Sequence, residues 1–219
     1  CNWSGNTATG SGGTINMADA TVEIIGGKFE NNSANHGGVA INKLGKLKVS
    51  GATFSGNTAI KNGGAIYLEG GQMTATGANS FTGNSAGNHG GAIYVSYVNN
   101  EDGSKTGGVL TMTDGLLESN TALSGGAISS RTAGSVTLTG TTLKGNEATD
   151  AGDAANGGGA IYTNDGVLIL SGVTMDGNSS GYYGGAVLVN DSTVTINGNS
   201  VISGSTGGTG AALNLRGSS

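Results

Sequence analysis

Eight times along these 219 residues, a large apolar side chain is followed three positions later by a small polar one, which is asparagine in seven of the eight. The copies begin at Trp3, Phe29, Phe54, Phe81, Leu117, Leu143, Met175 and Ile202, and their asparagines are Asn6, Asn32, Asn57, Asn84, Asn120, Asn146 and Asn178. The apolar positions lie 26, 25, 27, 36, 26, 32 and 27 residues apart. A second motif follows most copies: Gly63–Ile66, Gly90–Ile93, Gly125–Ile128, Gly158–Ile161 and Gly184–Val187 all read Gly-Gly-Ala-Ile or Gly-Gly-Ala-Val. Weaker forms are Gly12–Ile15, Gly38–Ile41 and Gly210–Leu213. A period in the twenties marks a solenoid, in which each repeat buries its apolar face only against its neighbours.

The segment from Gly63 to Asn84 shows how one repeat folds. Ala65-Ile66-Tyr67-Leu68 reads as a short strand, opened by two glycines that permit a tight bend. After a turn at Gly70-Gly71, Met73-Thr74-Ala75-Thr76 alternates apolar and polar residues with the period of a strand. Ser80-Phe81-Thr82 makes a third strand, ending at Gly83-Asn84. Three strands and three turns describe one coil of a parallel β-helix. Successive coils stack about 4.8 Å apart, so like residues lie on like residues. Met73/Ala75, Leu110/Met112, Val136/Leu138 and their counterparts then form inward columns, with the aromatic and aliphatic column from Trp3 to Ile202 beside them. The asparagine column reads as a structural ladder, each amide bonding the next while satisfying the turn backbone.

The two motifs alternating at matched phase resemble the repeats of polymorphic outer membrane proteins, the autotransporter adhesins of chlamydiae. That resemblance implies a right-handed single-stranded parallel β-helix (β-solenoid), displayed as a passenger outside a bacterial cell and serving adhesion. The expected architecture is one domain, residues 1–219, of about eight coils of 25–27 residues, with loop insertions near 96–107 and 147–157. It is read as a mature or excised segment, with Cys1 at an arbitrary boundary or, as a second reading, lipidated.

Composition narrows the function. Charged residues make up 11% of the chain, net charge is −5, and no basic cluster is present, which disfavours nucleic acid as a partner. The single cysteine precludes an intrachain disulfide. No apolar run is long enough to span a membrane as a helix.

Catalytic constellations are hard to find. Hydrolysis by paired carboxyl groups needs two acids facing one bond, and the acidic residues here are scattered in phase. Glu118, Lys144 and Asp176 fall at one phase in successive coils and read as a surface charge column. His36 and His89 each precede a Gly-Gly bend two coils apart, on the order of 10 Å, too far to share a metal ion. No enzyme activity, metal or cofactor is expected.

Three features remain as candidate surfaces. The residue after the isoleucine of the first strand gives the row Asn16, Asn42, Tyr67, Tyr94, Ser129, Tyr162, Leu188 and Asn214. Exposed tyrosines there, Tyr67, Tyr94 and Tyr162, together with Tyr97 in the first insertion, would stack on a sugar or touch a receptor. The insertions Ser96–Lys105 and Glu147–Asp153 are expected as loops on a rigid scaffold, where binding concentrates. Threonine rows at Thr74/Thr76, Thr111/Thr113, Thr137/Thr139 and Thr195 resemble ice-binding surfaces, though Glu23, Lys48 and Ile169 interrupt them and threonine is also a good strand former.

The leading expectation is a non-enzymatic extracellular surface protein with an adhesive or structural role, its partner a host or neighbouring-cell surface protein or glycan. One alternative is a self-assembling filament subunit, since neither end carries an evident cap. Another is a polysaccharide-binding or polysaccharide-cleaving β-helix.

Overall fold

A computed structural model describes residues 1–149 and 156–217. The chain is an all-β parallel solenoid of about eight turns, with no helix among the described residues. The coil from Ile66 runs through strands Ile66–Glu69, Gln72–Thr76, Ser80–Thr82 and Ser85–Ala86. Each strand pairs in parallel with its counterparts in the coils before and after, as in Phe54↔Phe81↔Leu117 and Met73↔Leu110↔Val136. Stacking the coils therefore builds four sheets rather than three.

The fourth sheet corrects the three-strand coil. Its strands, such as Thr58–Asn62, Ser85–Ala86 and Thr121–Ala122, follow each ladder asparagine. They turn Ala59, Ala86 and Ala122 into a small apolar cluster of their own. In four of its six strands there are only two residues, too few to display an alternation, and alanine is too small to advertise a buried face.

The main core is a set of continuous columns. Rings of Trp3, Phe29, Phe54 and Phe81 stack nearly parallel, with centroids 6.2, 4.9 and 4.5 Å apart. The column continues through Leu117, Leu143 and Met175, all buried. The ladder asparagines lie beside it. Asn32, Asn57, Asn84, Asn120, Asn146 and Asn178 are 0% exposed. Each link is an Nδ2 to Oδ1 hydrogen bond of 2.8–3.0 Å, running from Asn6 to Asn178. The same Oδ1 accepts the backbone N–H of the preceding asparagine, and the second Nδ2 hydrogen goes to a carbonyl, as from Asn84 to Phe54 O at 3.0 Å. Every polar atom of these amides is spent on the scaffold, so burial costs little.

One register in the second coil differs from the motif reading. The bend there is Gly37-Gly38, not Gly38 with its successor, because Gly37 has φ 60 in the place of Gly63 with φ 66. Ala40 then pairs with Ile66, Ile41 with Tyr67, and Asn42 with Leu68. Asn42 thus leaves the outward row and enters an inward column, fully buried, where its Nδ2 donates to the carbonyls of Gly45 (3.1 Å) and Gln72 (2.9 Å). The extra valine in Gly-Gly-Val-Ala-Ile made the two alignments look equivalent.

The first insertion is a β-hairpin rather than a loop. Strand Ile93–Asn99 runs on past its neighbours and returns antiparallel as Lys105–Gly107. Asp102 closes its tip by accepting from the Ser104 N–H and hydroxyl, and the Lys105 ammonium lies 4.7 Å from the Tyr97 ring centre. In the second insertion Glu147–Ala148 still pairs within the fourth sheet. Residues 150–155 lie outside the described residues.

Candidate functional site on the glycine-bend flank

The tyrosine row stands on the sheet that follows the glycine bends, on the side away from the main core. It is not the open surface the alternation suggests. Tyr162 is 1% exposed and Tyr94 7%, while Tyr67 and Tyr97 are partly exposed. The bends fold the chain back against this row, so a Cβ on Gly125 would come 3.0 Å from the Ser129 Cβ. Pointing away from one core here means pointing at a second layer. Tyr94 and Tyr162 therefore cannot lie flat against a sugar ring or a receptor without that layer opening.

What the flank holds instead is a column of rings and one cation. His36 stacks on Tyr67 at 5.2 Å, Tyr67 on Tyr94 at 5.3 Å, and His89 on Tyr94 at 5.7 Å. In the next coil the row offers only Ser129, which leaves a gap in the rings. Arg131 fills it. Its Nη1 lies 3.0 Å from His89 Nε2, its guanidinium carbon 5.4 Å from the Tyr162 ring centre, and Asn190 Nδ2 donates to the Tyr162 hydroxyl at 3.3 Å. Arginine has only donors, so His89 Nε2 must be the acceptor and its ring neutral.

Electrostatics follow from that arrangement. Burial first, then the Arg131 charge, hold His89 down to about 4 from its ordinary 6.5. His36 is lowered by burial and by Lys61, with Glu69 opposing. Tyr67 is pushed up to about 12, mainly by burial and then by Glu69. The two histidines stand two coils apart, through the pairing His36↔Asn62↔His89, and take part in one stack without converging on a point.

A pH dependence follows with a defined sign. The folded pKa of His89 lies below its unfolded value, so the unfolded chain binds the extra proton first. The stabilisation is complete above about pH 6.5 and is lost as pH falls towards 4, by up to about 3 kcal/mol before discount for the ring's partial exposure. Urea midpoints at pH 7.5 and pH 5 should therefore differ clearly in the parent chain. In His89→Gln, which keeps an acceptor but cannot titrate, the gap should shrink.

Sequence reasoning missed an aromatic pair on this flank, one ring exposed and one half-buried. Tyr182 is 42% exposed and meets Tyr183 edge to face at 4.4 Å, while the Arg216 guanidinium carbon lies 4.0 Å from the Tyr183 ring centre. Tyr183 occupies the position before a glycine bend that His36 and His89 hold in earlier coils. That shared phase was the available signal.

On the third-strand sheet Glu118, Lys144 and Asp176 do fall in one register. Lys144 Nζ lies 3.9 Å from Glu118 Oε1 at a solvent-facing position, an ion pair of small energetic weight.

Residues 51–69 and 80–96 match the Chlamydia polymorphic membrane protein repeat. The first stretch spans Phe54–Asn57 and Gly63–Ile66, the second Phe81–Asn84 and Gly90–Ile93, so each holds one full pair of the two motifs. No curated protein and no solved structure matches the chain. The stacked columns and amide ladder described above are what those two motifs build, and the two matched stretches are similar to the polymorphic membrane protein repeat within a parallel β-solenoid.

Proposed function

We propose that this chain is a rod displayed at a bacterial cell surface, where it binds a host or neighbouring-cell protein or glycan through its side and performs no catalysis. The carrying observation is how the residues are used. Apolar, asparagine and glycine positions that repeat from coil to coil are consumed by the scaffold, whereas the hairpin at 96–107 interrupts the period and Tyr182, beside the in-phase Tyr183, reaches solvent. Rigid scaffolds carry recognition on such departures. The repeat supports the surface location, since the proteins that define it are membrane proteins of a bacterium.

The test is adhesion of beads coated with the chain to cultured epithelial cells. The comparison is with a chain whose hairpin is cut back to the turn length of the adjacent coils, and with Tyr182→Ala. Loss of adhesion in either variant, with melting temperature unchanged, is the expected result. Adhesion by the parent chain no greater than that of an unrelated β-solenoid would refute the proposal.

A further inference from the structure

Arg131 is held on the glycine-bend flank by an uncharged partner. Its Nη1 lies 3.0 Å from His89 Nε2, and its guanidinium carbon 5.4 Å from the Tyr162 ring centre. Among the described residues no carboxylate pairs with it. The cation occupies the gap that Ser129 leaves between Tyr94 and Tyr162, which stand two coil steps, about 9.6 Å, apart. The Ser129 hydroxyl in that gap is buried without a hydrogen-bond partner. A charge placed this way stays only while the histidine accepts from it.

The contact dictates the tautomer of His89. A guanidinium only donates, so Nε2 accepts and the single ring proton sits on Nδ1, a buried atom with no acceptor. A second proton, arriving at Nε2, turns the acceptor into a donor and sets one positive charge 3.0 Å from another. Nothing nearby offsets it. The titratable and charged groups facing His89 are Arg131 from the following coil and Tyr94 from its own, while Asn62 and Ser124, bridged to it on either side, are neutral. Glu69 and Lys61 act on His36 and not on His89. Of the two cations, His89 is the fixed one, bridged to both neighbouring coils and stacked on Tyr94. Arg131 has a long side chain that is already partly exposed, and so has a route to water.

We propose that Arg131 is an acid-released latch: protonation of His89 ejects the guanidinium from the Ser129 gap into solvent and uncovers the facing sides of Tyr94 and Tyr162, while the coils stay stacked. The range of release follows from His89, whose pKa burial and the Arg131 charge hold down to about 4. Its ring is neutral above that value and charged below it, so the latch is closed at neutral pH and opens as pH falls through about 4. A loss of stability in acid would follow from any buried histidine. The latch adds that one side chain leaves and the rod remains. It is a response of the fold itself and does not depend on the adhesive reading.

Side-chain NMR of the isotope-labelled chain between pH 7.5 and pH 3 decides the matter, and a sequence with two histidines and two arginines keeps the spectra simple. At neutral pH His89 should carry its proton on Nδ1. The Arg131 Nε–H resonance, assigned by its absence in Arg131→Met, should move to the position of a solvated guanidinium with the same midpoint as the His89 ring. The backbone amides of Phe54 and Phe81 should keep their folded positions throughout. In His89→Gln the Arg131 resonance should stay fixed across the range. In Arg131→Met, which keeps bulk and removes charge, the His89 midpoint should rise, whereas a histidine lowered by burial alone would not shift. If a variant fails to fold, the titration of the parent chain is sufficient. An Arg131 resonance indifferent to His89 protonation, a neutral His89 protonated at Nε2, or loss of the folded Phe54 and Phe81 signals at the same midpoint would overturn the proposal.

Discussion

Replacing Gly64 by alanine should come close to unfolding the chain. A Cβ at this position would sit 1.9 Å from the Gly91 carbonyl oxygen, 2.6 Å from the Ser85 oxygen and 2.7 Å from the Ser85 nitrogen. All three are backbone atoms of the adjacent coil, so no side chain can swing aside, and the coils themselves would have to part. Parting them strains the aromatic stack and the ladder nearby. A loss of about 4–5 kcal/mol or more is expected, at the extreme of single substitutions. Gly77 makes the control. It has φ 71 but nothing within 4 Å of its would-be Cβ, so Gly77→Ala should cost only the backbone strain, about 1–2 kcal/mol. Chemical denaturation midpoints of the two variants separate crowding between coils from backbone conformation within one.

Asn120→Leu should cost nearly as much for a different reason. Leucine fills the volume but cannot replace four hydrogen bonds. The Asn120 Oδ1 accepts from the Asn84 backbone N–H (2.9 Å) and Asn84 Nδ2 (3.0 Å), and its Nδ2 donates to Phe81 O (2.9 Å) and Asn146 Oδ1 (3.0 Å). The Asn84 donors and the Phe81 carbonyl would be stranded without water. At about 1–3 kcal/mol for each unpaired buried group, a total of about 4 kcal/mol is expected. Asn6→Leu at the exposed first rung should cost about 1 kcal/mol, because water can replace its partners. Unfolding midpoints that ranked the two variants equally would count against the ladder as a buried, continuous device.

The legible part of this fold is the part that repeats with bulky or distinctive residues. Phe54, Phe81 and Leu117 at one phase fixed the core column, and Asn57, Asn84 and Asn120 fixed the ladder, because a rung is useful only if every coil has one. Short and small features stayed hidden. The strand at Ser85–Ala86 has too few residues for a period, and Asn42 slipped one place because valine in the second bend blurred the motif.

The candidate site was misjudged on burial. Strand alternation says that Tyr94 and Tyr162 face away from Ile93 and Ile161, and they do. It cannot say that the glycine bend returns to cover them, since that depends on the path of the backbone between motifs. Tyr182 lay in plain sight but outside the row being read.

Amide hydrogen exchange at Asn57, Asn84 and Asn120 tests superposition of the coils most directly. Their backbone N–H groups donate to the side-chain oxygens of Asn84, Asn120 and Asn146, each in the following coil. Coils stacked in this register predict protection comparable to that of Phe54 and Phe81 in the adjoining strands. Exchange within minutes at those three amides, with the phenylalanine amides protected, would contradict it.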